Sequence, residues 1–209
     1  MLLLLILQSQ LMLAQDNNVI KLPAPNLDRG LTVLKALSAR ISIREYDIKA
    51  LELQDLGELL WTANGVNRTE SGKRTAPSAM NSQDIDVYAL LPSGAYMYNA
   101  AKHQLELIST GDYRSLAAGR QEFVKQAPVV LLLVSDISRF KNGNDSLKLS
   151  WAAMDAGYVS QNIGLYCASV GLATVPRASM DAKKLKEALL LKQTQHILLN
   201  NPVGYKKGE

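Results

Sequence analysis

Two clusters of residues have the side chains and spacing needed to bind an elongated anionic ligand. In the first, Arg40, Ser42 and Arg44 alternate with Ile41 and Ile43. Alternate residues of an extended chain point to one side, so two guanidiniums and a hydroxyl would form a row, with both isoleucines turned into the core. Guanidiniums donate forked hydrogen bonds that fit phosphate oxygens or the N–C=O edge of a heterocycle. The row predicts a site for a polar ligand with a phosphate group, although a solvated edge strand can have the same pattern.

The second cluster, residues 74–83, begins at Arg74 and combines small residues, one proline and several amides. Its last seven residues are called the 77–83 loop below. This composition predicts a turn, and the segment is the second of the two candidate clusters. The alternative is a plain capping loop in which Ser78 is the N-cap of a following helix.

Other chemistries find little support in the sequence. His103 and His196 are the two histidines, and neither has a partner at metal-ligand spacing, so we expect no metal site. No G-x-S-x-G, G-x-x-x-x-G-K-[ST] or G-x-G-x-x-G string is present. The single cysteine, Cys167, lies among apolar residues and is predicted to be a buried, inert thiol. The net charge of +4 is scattered without a basic run longer than two residues, so we expect no nucleic-acid partner.

The elements that must position these clusters alternate between helix and strand patterns. Hydrophobic content of 47% with one cysteine indicates an ordinary globular core and excludes a disulfide scaffold. We predict one α+β domain over residues 22–209. A stripe of small residues on its longest helix (Ala153, Gly157, Ser160, Gly164 and Gly171) would suit a core or a subunit interface. The predicted helices are 31–40, 53–63, 115–125, 146–171 and 181–191, and the predicted strands are 85–91, 94–98, 105–108, 129–134 and 196–199, with a short segment at 173–177.

The first fourteen residues, Met1 to Ala14, are almost entirely apolar and precede a polar stretch. This length is too short for an ordinary membrane span and is typical of a secretory signal peptide, although no Lys or Arg precedes it. We therefore expect residues 1–15 to direct export to the periplasm and to leave no stable membrane association once cleaved. An uncleaved anchor, or a helix that covers the core or a partner, is the alternative; without a working signal the protein would be cytoplasmic.

In order and spacing, these motifs resemble the FMN-dependent nitroreductase family. That family has an R-x-S-x-R/K row after its first helix, a P-S-x-x-N-S-Q loop, a long central helix, a G-L-x-[ST] strand and a closing V-G-[YH] segment. The resemblance covers residues 30–206, and residues 60–68 are similar to the SagB-type branch. The matching residues are Arg40-Ser42-Arg44, Pro77-Ser78-Ala79-Met80-Asn81-Ser82-Gln83, Gly171-Leu172-Ala173-Thr174 and Val203-Gly204-Tyr205.

The resemblance implies a fold and a cofactor. The fold would be nitroreductase-like: a central mixed, mainly antiparallel sheet flanked by helices, with a long central helix, in an intertwined homodimer. FMN would lie at the dimer interface. Arg40 and Ser42 would meet its phosphate and ribityl chain, and Arg44 would reach the N1/O2 edge of the isoalloxazine, where negative charge gathers on reduction.

Further site residues follow from the same resemblance. Pro77, Ser78 and Ala79 would come from the partner subunit and pack on one flavin face, while Asn81 would shape that loop or contact the cofactor. The backbone near Arg177 and Ala178 would present an N–H to flavin N5, and no side chain is assigned as a catalytic acid. Lys206 and Lys207 would either bind phosphate or form a solvated tail.

The implied activity is ping-pong two-electron transfer from NAD(P)H or another donor to a nitroaromatic, quinone or similar acceptor. One alternative is a SagB-like flavin dehydrogenase that oxidises azoline rings in peptides. Another is a flavin-binding member without turnover. No 2′-phosphate site is recognisable, so NADH and NADPH stay equal candidates, and export would make either donor scarce.

Overall fold

A computed structural model describes residues 18–208; the predicted signal peptide lies outside them. Seven strands form one sheet in the order β1-β6-β5-β4-β7-β9-β8, and β2 and β3 form a separate hairpin. Every pairing between the described strands is antiparallel. The sheet is thus antiparallel, as mainly predicted, and the parallel pair that would make it mixed does not occur among these strands. The strands are β1 (Val19–Lys21), β2 (Val66–Arg68), β3 (Lys73–Arg74), β4 (Ile85–Leu91), β5 (Gly94–Asn99), β6 (Gln104–Thr110), β7 (Val129–Asp136), β8 (Leu172–Thr174) and β9 (Gln195–Tyr205).

Five α-helices flank the sheet within the described chain: α1 (Val33–Ala39), α2 (Leu53–Asn64), α3 (Arg114–Ala118), α4 (Asp145–Val170) and α5 (Ala182–Ala188). Short 3₁₀ turns occur at Ala79–Asn81, Glu122–Gln126 and Ile137–Arg139. The predicted α+β fold with one long helix is confirmed. Among residues 18–208, no helix has the length and apolar composition that crossing a membrane requires.

The core has two layers because β7 is buried on both faces. Leu131 and Leu133 belong to the cluster that includes residues of α2 and α4, whereas Val130, Leu132 and Val134 pack with residues of α3 and α5. Alternation along one strand therefore joins both layers. Cys167 of α4 is in the first layer, and its burial raises the pKa of the thiol, as expected of an inert cysteine.

The long helix α4 has defined ends. Asn144 accepts a hydrogen bond from the Leu147 N–H at 3.0 Å, and Gly171 ends the helix with a φ of 81°. The small-residue stripe is divided between two environments: Ser160 and Gly164 are buried, whereas Ala153 and Gly157 are exposed. The exposed part is accessible to another subunit.

The predicted helix over 115–125 is wrong. α3 ends at Ala118, Gly119 reverses the chain with a φ of 56°, and a 3₁₀ turn follows. The buried Arg177 guanidinium donates to the carbonyl oxygens of Ala117 and Ala118, both at 2.9 Å. A cation at the last carbonyls stabilises a helix end, so a residue distant in sequence sets this boundary.

Strand lengths also differ from the prediction. β9 runs from Gln195 to Tyr205, well beyond 196–199, and β8 ends at Thr174. The short strands β1, β2 and β3 were not predicted, and β1 joins the sheet through β6 before residue 22. Strands of two or three residues have too little periodicity to be recognised in a sequence.

Candidate functional site

Two adjoining cavities of about 190 and 80 Å³ form the candidate site, called the Arg40 groove here. They lie between the segment that follows α1, the C-terminal half of α4, and β8. Together their walls carry two cations, three neutral polar side chains and several small or apolar residues. The residues used below are Arg40, Ile41, Ser160, Gln161, Gly164, Thr174 and Lys206.

The Arg40 end of the groove is held by local pairing to the sheet edge. Arg40 caps α1, its N–H donating to the Ala36 carbonyl at 2.9 Å. Three residues on, the Ile43 N–H donates to the Thr174 carbonyl at 3.0 Å, so the segment runs beside β8. Tyr46 then bridges to Lys206, which brings a C-terminal lysine to the second cavity.

The prediction that Ile41 turns into the core is wrong. Ile43 packs beside Tyr46 and Ala173, whereas Ile41 is 64% exposed and borders the groove. Residues 40–45 make one ladder-type contact and do not form a regular strand, so the alternation of a strand does not apply along them.

The three residues of the predicted row are accessible. Arg40 is half-buried and lines the groove, while Ser42 and Arg44 are exposed. Within the part of the chain that the structure describes, neither arginine has a carboxylate oxygen within 4.0 Å. Their charges are not neutralised by an ion pair there, which suits an anionic ligand.

Two buried polar atoms close to the groove lack hydrogen-bond partners: Thr174 Oγ1, on the wall, and Asn201 Nδ2. Asn201 reaches the groove indirectly, since its Oδ1 accepts from Ser160 Oγ at 2.9 Å and Ser160 lines the wall. Buried donors without partners are rare in folded proteins. Together with the uncompensated arginines, they fit a phosphate-bearing ligand with further polar atoms, such as FMN.

The 77–83 loop lies apart from the groove within one chain. Its Ala79 N–H donates to Asp155 on α4 at 2.8 Å. Gly157, two residues further along α4, lines the groove, but no residue of the loop lines either cavity. Pro77 and Asn81 are exposed, and Ala79 is half-buried. The structure therefore does not bring the two predicted clusters together in one subunit.

The loop has a specific backbone shape that the sequence did not predict. Met80, Asn81 and Gln83 have φ values of 53°, 53° and 48°, in the left-handed region that non-glycine residues seldom adopt. Ser78 is at the N-cap position, but its hydroxyl accepts from the Gln83 N–H at 2.9 Å and does not cap the turn. The Gln83 side chain bonds Arg74 Nε at 3.1 Å. The capping alternative is thus wrong, and the loop is held by its own cross-links.

The assignment of Arg177 to the cofactor site needs correction. Its N–H donates to the Asn200 carbonyl at 2.8 Å, and its guanidinium bonds Gln121, Asn200 and the end of α3. Neither group is available to a ligand. Ala178 is exposed immediately after it, so its N–H is the candidate that remains for this role. Of the two predicted C-terminal cations, Lys206 borders the groove and Lys207 is exposed.

Two functional candidates were missed in the sequence: Asp84 and Asp155, both buried next to the 77–83 loop. A signal for Asp155 was present. Ala152, Ala156 and Val159 lie at helical spacing around it, so it was the one acid on the apolar face of α4. Asp84 directly precedes a strand and had no comparable pattern.

A larger cavity of about 630 Å³ lies elsewhere, between the loop before α2, β1 and the turn after β4. Its lining is mainly apolar, and its two cations, Arg114 and Lys125, already pair with Asp112 and Glu122. None of the predicted site residues borders it. The Arg40 groove is therefore the better candidate, although it is smaller.

Comparison with known proteins identifies the family of the chain. The model of the "Nitroreductase family" matches residues 37–205. MJ1384 of Methanocaldococcus jannaschii, named as a predicted nitroreductase, is 31% identical over 179 residues, covering 81% of this chain and 89% of that protein.

Solved structures show the same likeness. A predicted nitroreductase from Ralstonia eutropha JMP134 has a TM-score of 0.86 and 38% identity, with 92% of this chain and 91% of that chain covered. A chain of the Escherichia coli microcin synthetase McbBCD complex has a TM-score of 0.68 at 20% identity, covering 77% of this chain and 66% of that chain, which shows the fold alone. With the motif order and groove described above, these matches place the chain in the nitroreductase family, whose members are flavin oxidoreductases.

Proposed function

We propose that the Arg40 groove binds FMN and that the protein transfers two electrons between small molecules through it. The observation that carries the proposal is that the groove combines Arg40, which has no carboxylate partner among the described residues, with the buried Thr174 hydroxyl, which has no hydrogen-bond partner there. Such a combination is unfavourable without a ligand, because each buried polar group loses hydration without gaining a hydrogen bond. An anionic, hydrogen-bonding cofactor would satisfy both kinds of group.

Each residue of the proposed site would contact a different part of the cofactor. Arg40 and Ser42 would bind the phosphate and ribityl chain, with Lys206 at the neighbouring cavity, whereas Lys207 would stay in the solvated tail. Arg44 would lie at the N1–C2=O edge, where a cation favours the reduced, more negative form. The Ala178 N–H would donate to N5. Bound FMN supplies the hydride chemistry, so the protein's part is to position donor and acceptor on the open face.

We also propose that the working unit is a homodimer with shared sites. α1 buries one residue of its seven, Ala36, while Val33 and Leu34 are 69% and 79% exposed. On α4, Met154 and Tyr158 are exposed beside Gly157. An apolar surface of this kind is typical of a subunit contact. Pairing across it would allow the Pro77–Ser78–Ala79 part of one chain's loop to meet the groove of the other, with Asn81 shaping the loop.

The electron donor and acceptor are proposed by class. NADH or NADPH would reduce the cofactor and leave before a nitroaromatic or quinone takes two electrons, in a ping-pong sequence. Residues 60–68, similar to the SagB-type branch, keep peptide azoline oxidation as the second candidate. Anaerobic titration separates them, because a flavin that neither pyridine nucleotide reduces would favour the peptide substrate or a member without turnover.

The first test is the cofactor itself. The purified protein should be yellow and release FMN, not FAD, on denaturation, and the apoprotein should quench FMN fluorescence on binding. Light scattering should give about twice 22.9 kDa, less any cleaved segment. A colourless protein that does not bind FMN would refute the proposed function, and a monomer that binds FMN would refute the shared site.

A further inference from the structure

Two buried carboxyl groups meet behind the 77–83 loop. Asp155 of α4 is 2% exposed and Asp84, just before β4, is fully buried. Asp84 accepts hydrogen bonds from Ser135 Oγ at 2.5 Å and from Ser82 Oγ at 3.3 Å. Asp155 accepts the Ala79 N–H at 2.8 Å, and its carboxyl group lies within interaction range of the Asp84 carboxyl group. Two neighbouring buried carboxyl groups avoid like-charge repulsion when one of them keeps a proton, which can then bridge them in a hydrogen bond.

The contacts of Asp155 indicate where that proton lies. Asp155 receives one backbone N–H on one oxygen, which leaves its other oxygen to carry the proton toward Asp84. Burial raises the pKa of Asp155 to about 7, the hydrogen bond and charge of Asp84 act in the same direction, and the Ala79 N–H opposes them.

The charged neighbours do not neutralise a second ionised carboxylate. Arg139 interacts electrostatically with Asp84, but its guanidinium is committed to Asp86 at 2.6 Å and to the Gln83 carbonyl at 2.8 Å. Asp136, at the end of β7, adds a further negative charge near Arg139. Within residues 18–208, Asp155 has no cation within 4.0 Å.

The loop beyond the pair is one whose shape needs support. Three of its residues hold left-handed backbone angles that are unfavourable for residues with side chains, and such angles persist where surrounding contacts enforce them. The Ala79 N–H bond to Asp155 joins the start of this strained stretch directly to the central helix. Loss of that bond would leave the loop held to α4 by packing, such as that of Ala79 on the cluster that includes Ala152.

We propose that Asp84 and Asp155 share one proton and that Asp155, as a positioning residue, holds the 77–83 loop in place while the proton is present. When the proton leaves, two adjacent buried charges repel each other. That repulsion exceeds the gain from one stronger hydrogen bond to Ala79, so Asp155 turns away or admits water, and the loop loosens. The loop's contact with a flavin rests on the proposed function, but the proton-dependent anchor does not.

Amide exchange of the Ala79 N–H in the apoprotein tests the anchor directly. Protection, corrected for the intrinsic effect of pH, should fall about tenfold or more between about pH 6 and pH 8.5 in the wild type. Asp155→Asn keeps both hydrogen bonds, since its amide oxygen accepts from Ala79 and its NH₂ donates to Asp84, but it has no proton to lose. Its protection should not change with pH. Asp145→Asn, an exposed site on the same helix, should behave as the wild type.

A wild type whose Ala79 protection is independent of pH would overturn the proposal, as would an Asp155→Asn protein with the same fall. Infrared spectroscopy of the wild type gives a second measurement if that variant does not fold. A protonated carboxyl band should be present near pH 6 and lost by about pH 8.5, and its absence at both would also overturn the proposal. FMN titration separates this proposal from the proposed function. If the Ala79 protection falls with pH as expected but FMN binds at neither pH, the cofactor proposal is wrong and the proton-dependent anchor stands.

Discussion

Two arginine-centred regions on opposite sides of the C-terminal half of α4 use the same side chain in different ways. Arg29 donates to Asp55 at 2.6 Å and to Glu58 at 3.0 Å, and both carboxylates are buried. Tyr166 donates to Glu58 at 3.0 Å and Tyr205 to Asp55 at 2.5 Å. Each charged group of this network has partners inside the protein, because the one cation faces both carboxylates and each carboxylate also accepts from a tyrosine hydroxyl. The network ties the N-terminal segment to α2, α4 and β9.

The Arg40 groove has the opposite character. Arg40 on its wall and Arg44, four residues on, have no carboxylate partner among the described residues, and the buried Thr174 hydroxyl on the wall and the nearby Asn201 Nδ2 are unpaired. A matched network stabilises the fold, whereas an unmatched one leaves interactions for a ligand to complete. Substitutions in the first region should therefore change stability, and substitutions in the second should change binding.

The largest effect is expected for Glu58→Ala. It would leave Arg29, the Tyr166 hydroxyl and the Asn26 N–H without their common acceptor. Because Arg29 is 35% exposed and keeps Asp55, the loss should be smaller than for a fully buried ion pair, and we expect the free energy of unfolding to fall by about 2–3 kcal/mol. Urea unfolding measures this loss, and Glu70→Ala, on an exposed loop, should stay within about 0.5 kcal/mol of the wild type.

The same variant has a pH signature. Burial alone would raise the pKa of Glu58, but hydrogen bonds from Gln54, Asn26 and Tyr166 and the charge of Arg29 outweigh it and hold the pKa below its usual 4.5. A lowered pKa in the folded state contributes stability at neutral pH that is lost as the pH falls through that folded value. The difference in the free energy of unfolding between the wild type and Glu58→Ala should therefore become smaller as the pH falls into the acid range. A constant difference would mean that lost packing, not charge, explains the effect.

Arg40→Ala should change binding and leave stability nearly unchanged. A hydrogen bond to a charged group contributes about 1.5–3 kcal/mol, so FMN affinity should fall by about 10- to 150-fold. Fluorescence titration measures the affinity, and Lys35→Ala, on the exposed side of α1, is the matched loss of one cation. Equal affinities for the two variants would mean that general charge, and not the groove, attracts the cofactor.

Arg44→Ala should affect the reduced cofactor more than the oxidised one. If this cation lies at the N1–C2=O edge, its loss removes about 1.5–3 kcal/mol from the reduced state, which lowers the midpoint potential by several tens of millivolts. Spectroelectrochemistry of the bound flavin measures the shift, with Arg40→Ala as the variant expected to keep its potential. If the flavin bound to Arg44→Ala has the same midpoint potential as in the wild type, Arg44 does not lie beside the isoalloxazine ring.

The sequence predicted the parts of this molecule that depend on local pattern. The end of α1 at Arg40, the course of α4 and the double burial of β7 follow from periodicity and end signals within one segment. The donor types of the Arg40 row were likewise visible. These features need no knowledge of what packs against them.

Features set by distant residues could not be predicted. The end of α3 depends on Arg177, 59 residues beyond Ala118. The exposure of Ile41 depends on how residues 40–45 meet β8, and the left-handed shape at Met80 runs against the preference of its side chain. Tertiary contacts override local preference at these points.

The smallest effect, and the sharpest contrast of sign, is expected for Thr174→Val. The Thr174 hydroxyl is buried without a partner, so replacing it with a methyl group of similar size should raise the stability of the apoprotein by about 1 kcal/mol. If FMN supplies the missing partner, its affinity should fall by a few-fold, as one neutral hydrogen bond is lost. Thr75→Val is the matched control, because its hydroxyl already donates to the Trp61 carbonyl at 3.2 Å and its loss should lower stability. Thermal unfolding of both apoproteins decides the sign. If Thr174→Val loses stability as Thr75→Val does, the hydroxyl is satisfied without a ligand, and the contrast between the matched Arg29 network and the unmatched groove fails at this residue.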